Sequence, residues 1–243
     1  MAGRMRVDRL LVERGLFESR AKAQAAIDAG LVLADGRPVG KASDTIAPDA
    51  ELSAEPAHPF VSRGGIKLVA ALDHFGIDPA GLVCLDIGAS TGGFTDALLA
   101  RGARRVYAVD VGRGQLHPRL AARSNVVSLE GMDIRMVTAE RLAEPPRLVV
   151  VDVSFISLRL VLRAALALAR TPARLIALIK PQFEAGRKLV RKGIVRDPQV
   201  HAEVCESIAG SIVELGWSVL GVIPSPLLGG DGNREFLIGA KHD

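Results

Sequence analysis

From residue 63 onward, the sequence alternates short apolar runs with segments of helical periodicity. Strands are expected at 82–87, 105–110, 125–129, 147–152, 174–180, 217–223 and 235–240, and helices at 63–75, 92–101, 157–170 and 198–215. Such alternation predicts an α/β fold built on a doubly wound, mostly parallel sheet of seven strands. About ten residues without a helix join the last two strands. This is too short for a parallel crossover, so the last strand is expected to be antiparallel.

The first strand of this region leads into a glycine-rich turn and a helix, in VCLDIGASTGGFTDALLARG. Gly88, Gly92 and Gly93 allow the backbone to pass close to a ligand, and the start of the helix offers unpaired N–H groups. Asp110 ends the next strand, VYAVD, at a position where an acid can bind ribose hydroxyls. The pattern predicts a site for a nucleoside-containing cofactor.

The spacing of this turn separates two kinds of cofactor. A dinucleotide site has G-x-G-x-x-G, whereas this chain has D-x-G-x-S-x-G-G, beginning at Asp86. This pattern resembles motif I of the class I S-adenosylmethionine-dependent methyltransferases, and Asp133 in EGMDIR matches the position that contacts adenine in them. A methyltransferase is therefore favoured over a nicotinamide dehydrogenase. The resemblance implies S-adenosylmethionine as cofactor, bound by Asp86, Gly88, Ser90, Gly92, Gly93, Phe94, Asp110 and Asp133.

Charged residues stand at points where an α/β chain brings side chains together, and four of them form a candidate catalytic set. They are Lys67, Asp152, Lys180 and Glu235. Asp152 and Lys180 end apolar strands, and ligands of open sheets bind outside the carboxyl ends of parallel strands. The alternative is that the four residues form two surface salt bridges, worth at most ~1 kcal/mol each.

Two motifs that the chain lacks limit the kind of atom that can accept the methyl group. Cys84 lies in a predicted strand and Cys205 in a predicted helix, so neither suits a pyrimidine-carbon methylase, and DVSFIS stands where an amine methylase would carry a D/N-P-P-Y/F loop. An oxygen acceptor remains, and a ribose hydroxyl needs a base. Lys180 can be that base if partial burial and a neighbouring cation favour its neutral amine. We expect Lys67 to supply that cation.

The first 41 residues have a different organisation from the rest. Helices are expected at 6–14 and 19–29, with Ser19 as the N-cap of the second helix. A tight turn at Asp35-Gly36 follows between short strands, and a linker is expected at 42–59. The segment RVDRLLVERGLFESRAKAQAAIDAGLVLADGRPVGKAS resembles the S4 RNA-binding domain. The resemblance implies RNA contacts by Arg6, Arg9, Arg20, Lys22 and Lys41.

The alternative for these basic residues is a solvated helical face that binds nothing. Residues 1–41 hold eight basic and five acidic side chains, and this local surplus favours RNA. We predict two domains: an S4-like domain with its linker at 1–58, and a methyltransferase domain at 59–243.

The complete set of motifs points to one family. The K-D-K-E set is similar to that of FtsJ/RrmJ-type ribose 2′-O-methyltransferases, and VSRGGIKL, DIGASTGGFTD, DVGRGQL, DVSFISL, LIKPQFE and GNREF resemble the TlyA (hemolysin A-like) rRNA methyltransferases. The resemblance implies 2′-O-methylation of cytidine in ribosomal RNA, with Lys180 as the central lysine and a ribosomal RNA or subunit as partner. One member of the family has an R-A-W-V linker where this chain has His58-Pro59-Phe60-Val61.

A basic run follows the candidate catalytic lysine. Residues 180–196 hold six basic side chains and one acid. A solvated loop is the default for such a run, but its place beside the candidate site favours phosphate binding. The residues expected to bind phosphate are Arg187, Lys188, Arg191 and Lys192.

Composition excludes several other classes of protein. Hydrophobic residues make up 49% of the chain, which excludes global disorder, and a net charge of +4 permits a nucleic-acid partner. No histidines and cysteines have ligand spacing, so no metal is expected. The N-terminus lacks the apolar core of a signal peptide, and charges interrupt the most apolar stretch, so a cytoplasmic protein is expected. An RNA-binding assembly factor with a degenerate methyltransferase domain is the alternative function; a hemolysin is disfavoured.

Overall fold

The computed structural model describes residues 3–186, 189–229 and 232–243. The chain forms two compact units, Met1–Pro59 and Phe60–Asp243.

The first unit is a small α/β domain. Its elements are β1 (Met5–Arg6), α1 (Val7–Glu13), α2 (Arg20–Asp28), β2 (Val32–Ala34), β3 (Arg37–Pro38), β4 (Thr45–Ile46) and β5 (Leu52–Ala54). Both predicted helices are confirmed, and the Ser19 hydroxyl caps α2 by accepting a hydrogen bond from the Lys22 backbone N–H. Apolar side chains of the helices and strands pack into one core, which includes Val7, Leu11, Phe17, Ala26, Ile27 and Val32.

The predicted linker at 42–59 is wrong over much of its length. Strand β4 pairs with β1, and β5 pairs with β2, so both strands belong to the folded unit. Each of these strands spans only two or three residues, which is too short to show an alternating pattern in the sequence. The acidic, proline-bearing composition of this segment therefore resembled a linker.

The second unit is a seven-stranded α/β domain. Its strands are β6 (Val83–Ile87), β7 (Arg105–Asp110), β8 (Val126–Glu130), β9 (Leu148–Val151), β10 (Ala173–Ile179), β11 (Ser218–Pro224) and β12 (Phe236–His242), in the order β11-β12-β10-β9-β6-β7-β8. Strand β12 is antiparallel to both of its neighbours, and the pairs from β10 through β8 are parallel. The predicted sheet with an antiparallel last strand is confirmed.

Helices cover both faces of this sheet. They are α3 (Gly64–Phe75), α4 (Gly93–Ala100), α5 (Pro118–Ala121), α6 (Leu158–Ala167), α7 (Pro181–Glu184) and α8 (Pro198–Glu214). Alternate residues of β6 point to opposite faces: Leu85 packs in the core with α6 and α8, and Cys84 packs in the core with α3 and α4. A strand covered on both faces reads as a continuous apolar run, which is why these strands were predictable.

Candidate active site

The carboxyl ends of β6, β7, β9 and β10 meet at one edge of the sheet. Gly88, Asp110, Asp152 and Lys180 stand at or directly after these strand ends. Strand β6 pairs with β7 on one side and with β9 on the other, so the chain changes direction across the sheet at this point. Ligands of open α/β sheets bind at such a switch point.

The glycine loop approaches the next strand end too closely for a side chain. Gly88 has φ +79°, and a Cβ added to it would lie 2.3 Å from the Asp152 carbonyl oxygen. Ser90, with φ +46°, donates its backbone N–H to Asp110 Oδ2 at 2.7 Å. The loop is therefore held between β7 and the residue after β9.

Asp86 is a buried carboxyl group behind the loop. Its Oδ2 accepts a hydrogen bond from Thr95 Oγ1 at 2.6 Å, while its Oδ1 has no hydrogen-bond partner in the described part of the chain. Burial, followed by the negative charges of Asp152 and Asp110, raises the pKa of Asp86 to about 7 against the hydrogen bond from Thr95. A buried acceptor without a donor fits a ligand that brings one.

Asp110 and Asp133 line the cofactor side of the loop. Asp110 accepts backbone N–H groups from Ser90 and Gly112, each at 2.7 Å. Asp133 accepts from the Arg135 guanidinium at 2.5 Å, and this side-chain bond, with the Arg135 backbone N–H, lowers the pKa of Asp133. Both carboxylates are thus fixed in position, and each Asp110 oxygen, which accepts one hydrogen bond, keeps acceptor capacity for a ligand.

Two adjoining cavities open at this edge. The first, of about 330 Å³, is lined by residues that include Ser62, Arg63, Lys67, Phe94, Asp152, Ser154 and Lys180. The second, of about 340 Å³, is lined by residues that include Asp110, Val111, Met132, Asp133, Ile134, Phe155 and Val161. Gly88, Ser90, Asp152 and Ser154 border both. The first cavity is lined by charged side chains of both signs, and the second is lined by acidic and apolar side chains. Together they suit a ligand with an amine, ribose hydroxyls and a flat base.

The candidate catalytic residues form two ion pairs. Lys67 Nζ lies 2.5 Å from Glu235 Oε2, and Lys180 Nζ lies 2.6 Å from Asp152 Oδ1. Lys67, Asp152 and Lys180 line the first cavity. The four side chains retain between 4% and 22% of their exposure, so water screens neither pair as it would a surface salt bridge.

Sequence reasoning missed further residues at this site. Lys180 Nζ donates to Ser154 Oγ at 2.8 Å. Phe155 is 90% exposed with φ +65°, and its ring lies 5.0 Å from that of Phe183. An exposed aromatic ring held in a left-handed conformation is unusual for a bulky residue. The only signal in the sequence was that Ser154 and Phe155 follow the end of strand β9.

The predicted RNA-binding residues of the first unit are mostly paired with acids. Arg6 and Arg20 both bind the Asp8 carboxylate, which is only 2% exposed, at 3.0 and 2.7 Å. Arg6 contributes most to lowering the pKa of Asp8 to about 2, Arg20 adds to it, and burial opposes them. Arg9 pairs with Glu13, and Lys22 pairs with Glu18. Lys41 is exposed, and its backbone N–H donates to Asp44.

The basic run after β10 is described only in part. Arg187 and Lys188 lie outside the described residues. Arg191 and Lys192 are exposed on a tight turn in which Arg191 and Ile194 exchange two backbone hydrogen bonds of 3.0 Å. Lys192 and Gly193 have φ +50° and +79°, as a two-residue type I′ turn requires. The turn therefore presents the cationic side chains of Arg191 and Lys192 to solvent.

Comparison with known proteins identifies the family. Residues 60–242 match the FtsJ-like methyltransferase family and residues 5–52 match the S4 domain. The 16S/23S rRNA (cytidine-2′-O)-methyltransferase TlyA of Mycobacterium tuberculosis is 47% identical over 98% of this chain and 90% of its own length. Hemolysin A of Brachyspira hyodysenteriae is 39% identical over 96% of this chain and 98% of its own length. The structure of a candidate hemolysin from Streptococcus thermophilus has a TM-score of 0.78 and 40% identity, covering 99% of this chain and 89% of that one.

The fold and the edge of the sheet define a class I methyltransferase with an S4 domain. The chain belongs to the FtsJ-like methyltransferase family, and its cofactor is S-adenosylmethionine. Among the described residues, no helix is long and apolar enough to cross a membrane, and no cluster of three or more His, Cys, Asp or Glu side chains could hold a metal ion.

Proposed function

We propose that this protein transfers the methyl group of S-adenosylmethionine to the ribose 2′-oxygen of a cytidine in ribosomal RNA. The two lysine–carboxylate pairs at the edge of the sheet that carries the glycine loop support the proposal, because an oxygen acceptor needs a base and an orienting set. The name of the Mycobacterium tuberculosis relative supports cytidine and ribosomal RNA as the target. A ribosomal substrate implies a cytoplasmic location and a ribosomal RNA or subunit as partner.

The residues that would hold the cofactor lie along the loop. We assign the ribose hydroxyls to Asp110, the adenine amine to Asp133, and a donor group of the ligand to the unsatisfied oxygen of Asp86. Gly88, Ser90, Gly92, Gly93 and Phe94 shape the backbone there. S-adenosylmethionine, when bound, supplies an electrophilic methyl carbon on a sulfonium.

The protein's own chemical task is to remove a proton from the ribose hydroxyl. We assign this to Lys180: once its ammonium, paired with Asp152, has released a proton to solvent, the amine accepts the hydroxyl proton as the 2′-oxygen attacks. Asp152 at 2.6 Å and Ser154 at 2.8 Å fix the position of the nitrogen. Lys67 borders the same cavity, and Glu235 holds it in place. This preorganisation orients the hydroxyl before transfer.

Substrate RNA has several candidate contacts. Arg6, Arg9, Arg20, Lys22 and Lys41 belong to the unit that matches an S4 domain. Arg191 and Lys192 belong to the basic run, in which Arg187 and Lys188 stay predictions. Phe155 offers an exposed ring beside the site on which an unpaired base can stack. Phosphate contacts position the RNA, and the stacked base places the nucleotide.

The assay that tests this function uses ribosomal RNA from cells that lack the protein. Lys180→Ala should lower kcat by about 100-fold or more, the usual contribution of a general base, while the affinity for cofactor changes little. Lys241→Ala is the matched control, because Lys241 pairs with the nearby Asp243 at the far end of β12 from the catalytic residues. Mapping of ribose methylation identifies the product, and calorimetry measures cofactor binding.

Two outcomes would contradict the proposal. Methylation by Lys180→Ala at the wild-type rate would exclude Lys180 as the base. Absence of both methylation and cofactor binding in the wild-type protein would instead favour an RNA-binding assembly factor whose methyltransferase domain is degenerate. The first outcome changes the mechanism, and the second replaces the function.

A further inference from the structure

A third cavity, of about 380 Å³, lies outside the catalytic edge described above. It is lined by Ile194, Val195, Arg196, His201, Gly232 and Arg234. Both arginine side chains are exposed, and neither has an ion pair or hydrogen bond to another described residue. Two guanidinium groups at one cavity repel each other, and an anion bound between them removes that repulsion. The cavity therefore has the charge of an anion site.

Buried polar side chains fix the walls of this cavity. Asn233 is 1% exposed; its Oδ1 accepts from the Val195 backbone N–H at 3.1 Å, and its Nδ2 donates to the Gly193 carbonyl at 2.9 Å. His201, 6% exposed, places Nε2 3.0 Å from the Val195 carbonyl oxygen. Both arginines are bonded neighbours of these anchored residues, so their backbones are held before any ligand arrives. Such preorganisation lowers the entropy cost of binding.

The position of the cavity relates it to the reaction. Arg234 directly precedes Glu235, the partner of Lys67. Arg196 ends the segment that begins with the exposed Arg191–Ile194 turn. Arg196 thus follows the turn closely in the chain, and Arg234 adjoins a residue of the catalytic edge. A polyanion that contacts both the turn and the catalytic edge can therefore also contact these two arginines.

We propose that Arg196 and Arg234 together bind one phosphodiester group of the RNA substrate. Planar guanidinium groups match the geometry of phosphate oxygens and form charge-assisted hydrogen bonds to them. This inference rests on the proposed function, because it takes RNA as the substrate. The contact positions the strand and carries no sequence information, so it contributes to RNA affinity and leaves the transfer step unchanged.

The test uses the full-length protein with Arg196→Gln, Arg234→Gln and the double variant. Binding of a fluorescently labelled single-stranded oligoribonucleotide is measured against salt concentration. Because both guanidinium groups are needed to hold the phosphate, each variant should lower the slope of log K against log salt by about 0.7, the value for one phosphate on single-stranded nucleic acid. The double variant should show the same decrease as either single variant, because one phosphate is shared. In methylation assays, KM for ribosomal RNA should rise about 10-fold at constant kcat.

Arg170→Gln is the matched control. Arg170 is also exposed, but it lies before β10, at the opposite edge of the sheet from the catalytic residues. This variant should keep the wild-type slope and KM.

The outcomes separate this inference from the proposed function. If the wild type methylates RNA but the arginine variants match Arg170→Gln in slope and KM, the phosphate site is refuted and the function stands. If the wild type transfers no methyl group, the function fails, while the salt slope still decides whether the cavity binds RNA phosphate. A double variant with twice the decrease of the single variants would refute the shared phosphate.

Discussion

Replacement of Asp86 by asparagine should change how the stability of the methyltransferase unit depends on pH. The side chain is fully buried, and its pKa rises from the ordinary 3.8 to about 7, chiefly because burial disfavours the charged carboxylate. The folded state therefore holds the proton more tightly than the unfolded state. The resulting stabilisation is fully present below about pH 3.8 and is lost as the pH rises through about 7.

The magnitude follows from the two pKa values. The rise from 3.8 to about 7 corresponds to a loss of about 4 kcal/mol across the whole range. About 2 kcal/mol of this proton-linked stabilisation is lost as the pH rises from about 5.5 to about 8.5. An asparagine side chain at this position does not titrate and can still accept the Thr95 hydroxyl. Asp86→Asn should thus gain about 2 kcal/mol relative to wild type over that interval.

Denaturant titrations can follow this unit by itself. Trp217 is the chain's one tryptophan, and it is buried in the core of the second unit, so its fluorescence reports the unfolding of that unit. The control is Asp28→Asn, an exposed aspartate of the first unit. Parallel curves of unfolding free energy against pH for wild type and Asp86→Asn would refute the argument from burial.

Two further predictions concern the same edge of the sheet. Lys67→Met should lower the unfolding free energy by about 3–5 kcal/mol, because it leaves Glu235 charged and buried. A second change, Glu235→Leu, should restore most of that free energy. A loss of less than about 1 kcal/mol in the fluorescence titration of Lys67→Met would contradict this prediction. Gly88→Ala should abolish cofactor binding in calorimetry and cost at least about 1–2 kcal/mol, because its Cβ would strike the Asp152 carbonyl at positive φ. Gly210→Ala, in open helical space, is the control that should bind cofactor normally.

The sheet of the second unit could be predicted because burial leaves a strong signal. Every residue of β6 and β9 is buried, and apart from Asp86 both strands are apolar runs, which end before a glycine in β6 and before an aspartate in β9. Strands β4 and β5 of the first unit were missed because two or three residues cannot show a pattern. Their pairing with distant strands is a tertiary effect, which local sequence does not record.

The site was predictable to the extent that topology alone positions it. Asp152 and Lys180 follow neighbouring parallel strands, and such strand ends must meet. The pairing of Lys67 with Glu235 joins residues 168 positions apart and depends on how α3 packs against β12. The Arg135 partner of Asp133 lies only two positions away, yet charge pairs at this spacing have no regular geometry outside a helix or strand. The sequence therefore gives the members of the set more readily than their partners.

In each unit, two of the arginines proposed to bind RNA lie next to a buried polar side chain that holds their segment. Asp8 in the first unit and Asn233 in the second are almost fully buried, and each holds a segment that carries arginines. A free arginine loses up to about 2 kcal/mol of side-chain entropy when a ligand fixes it. Asp8 fixes Arg6 and Arg20 directly, whereas Asn233 fixes only the backbone beside Arg196 and Arg234. Removal of the Asp8 carboxylate should consequently weaken RNA binding even though it increases net positive charge, which is opposite to the expectation from charge alone.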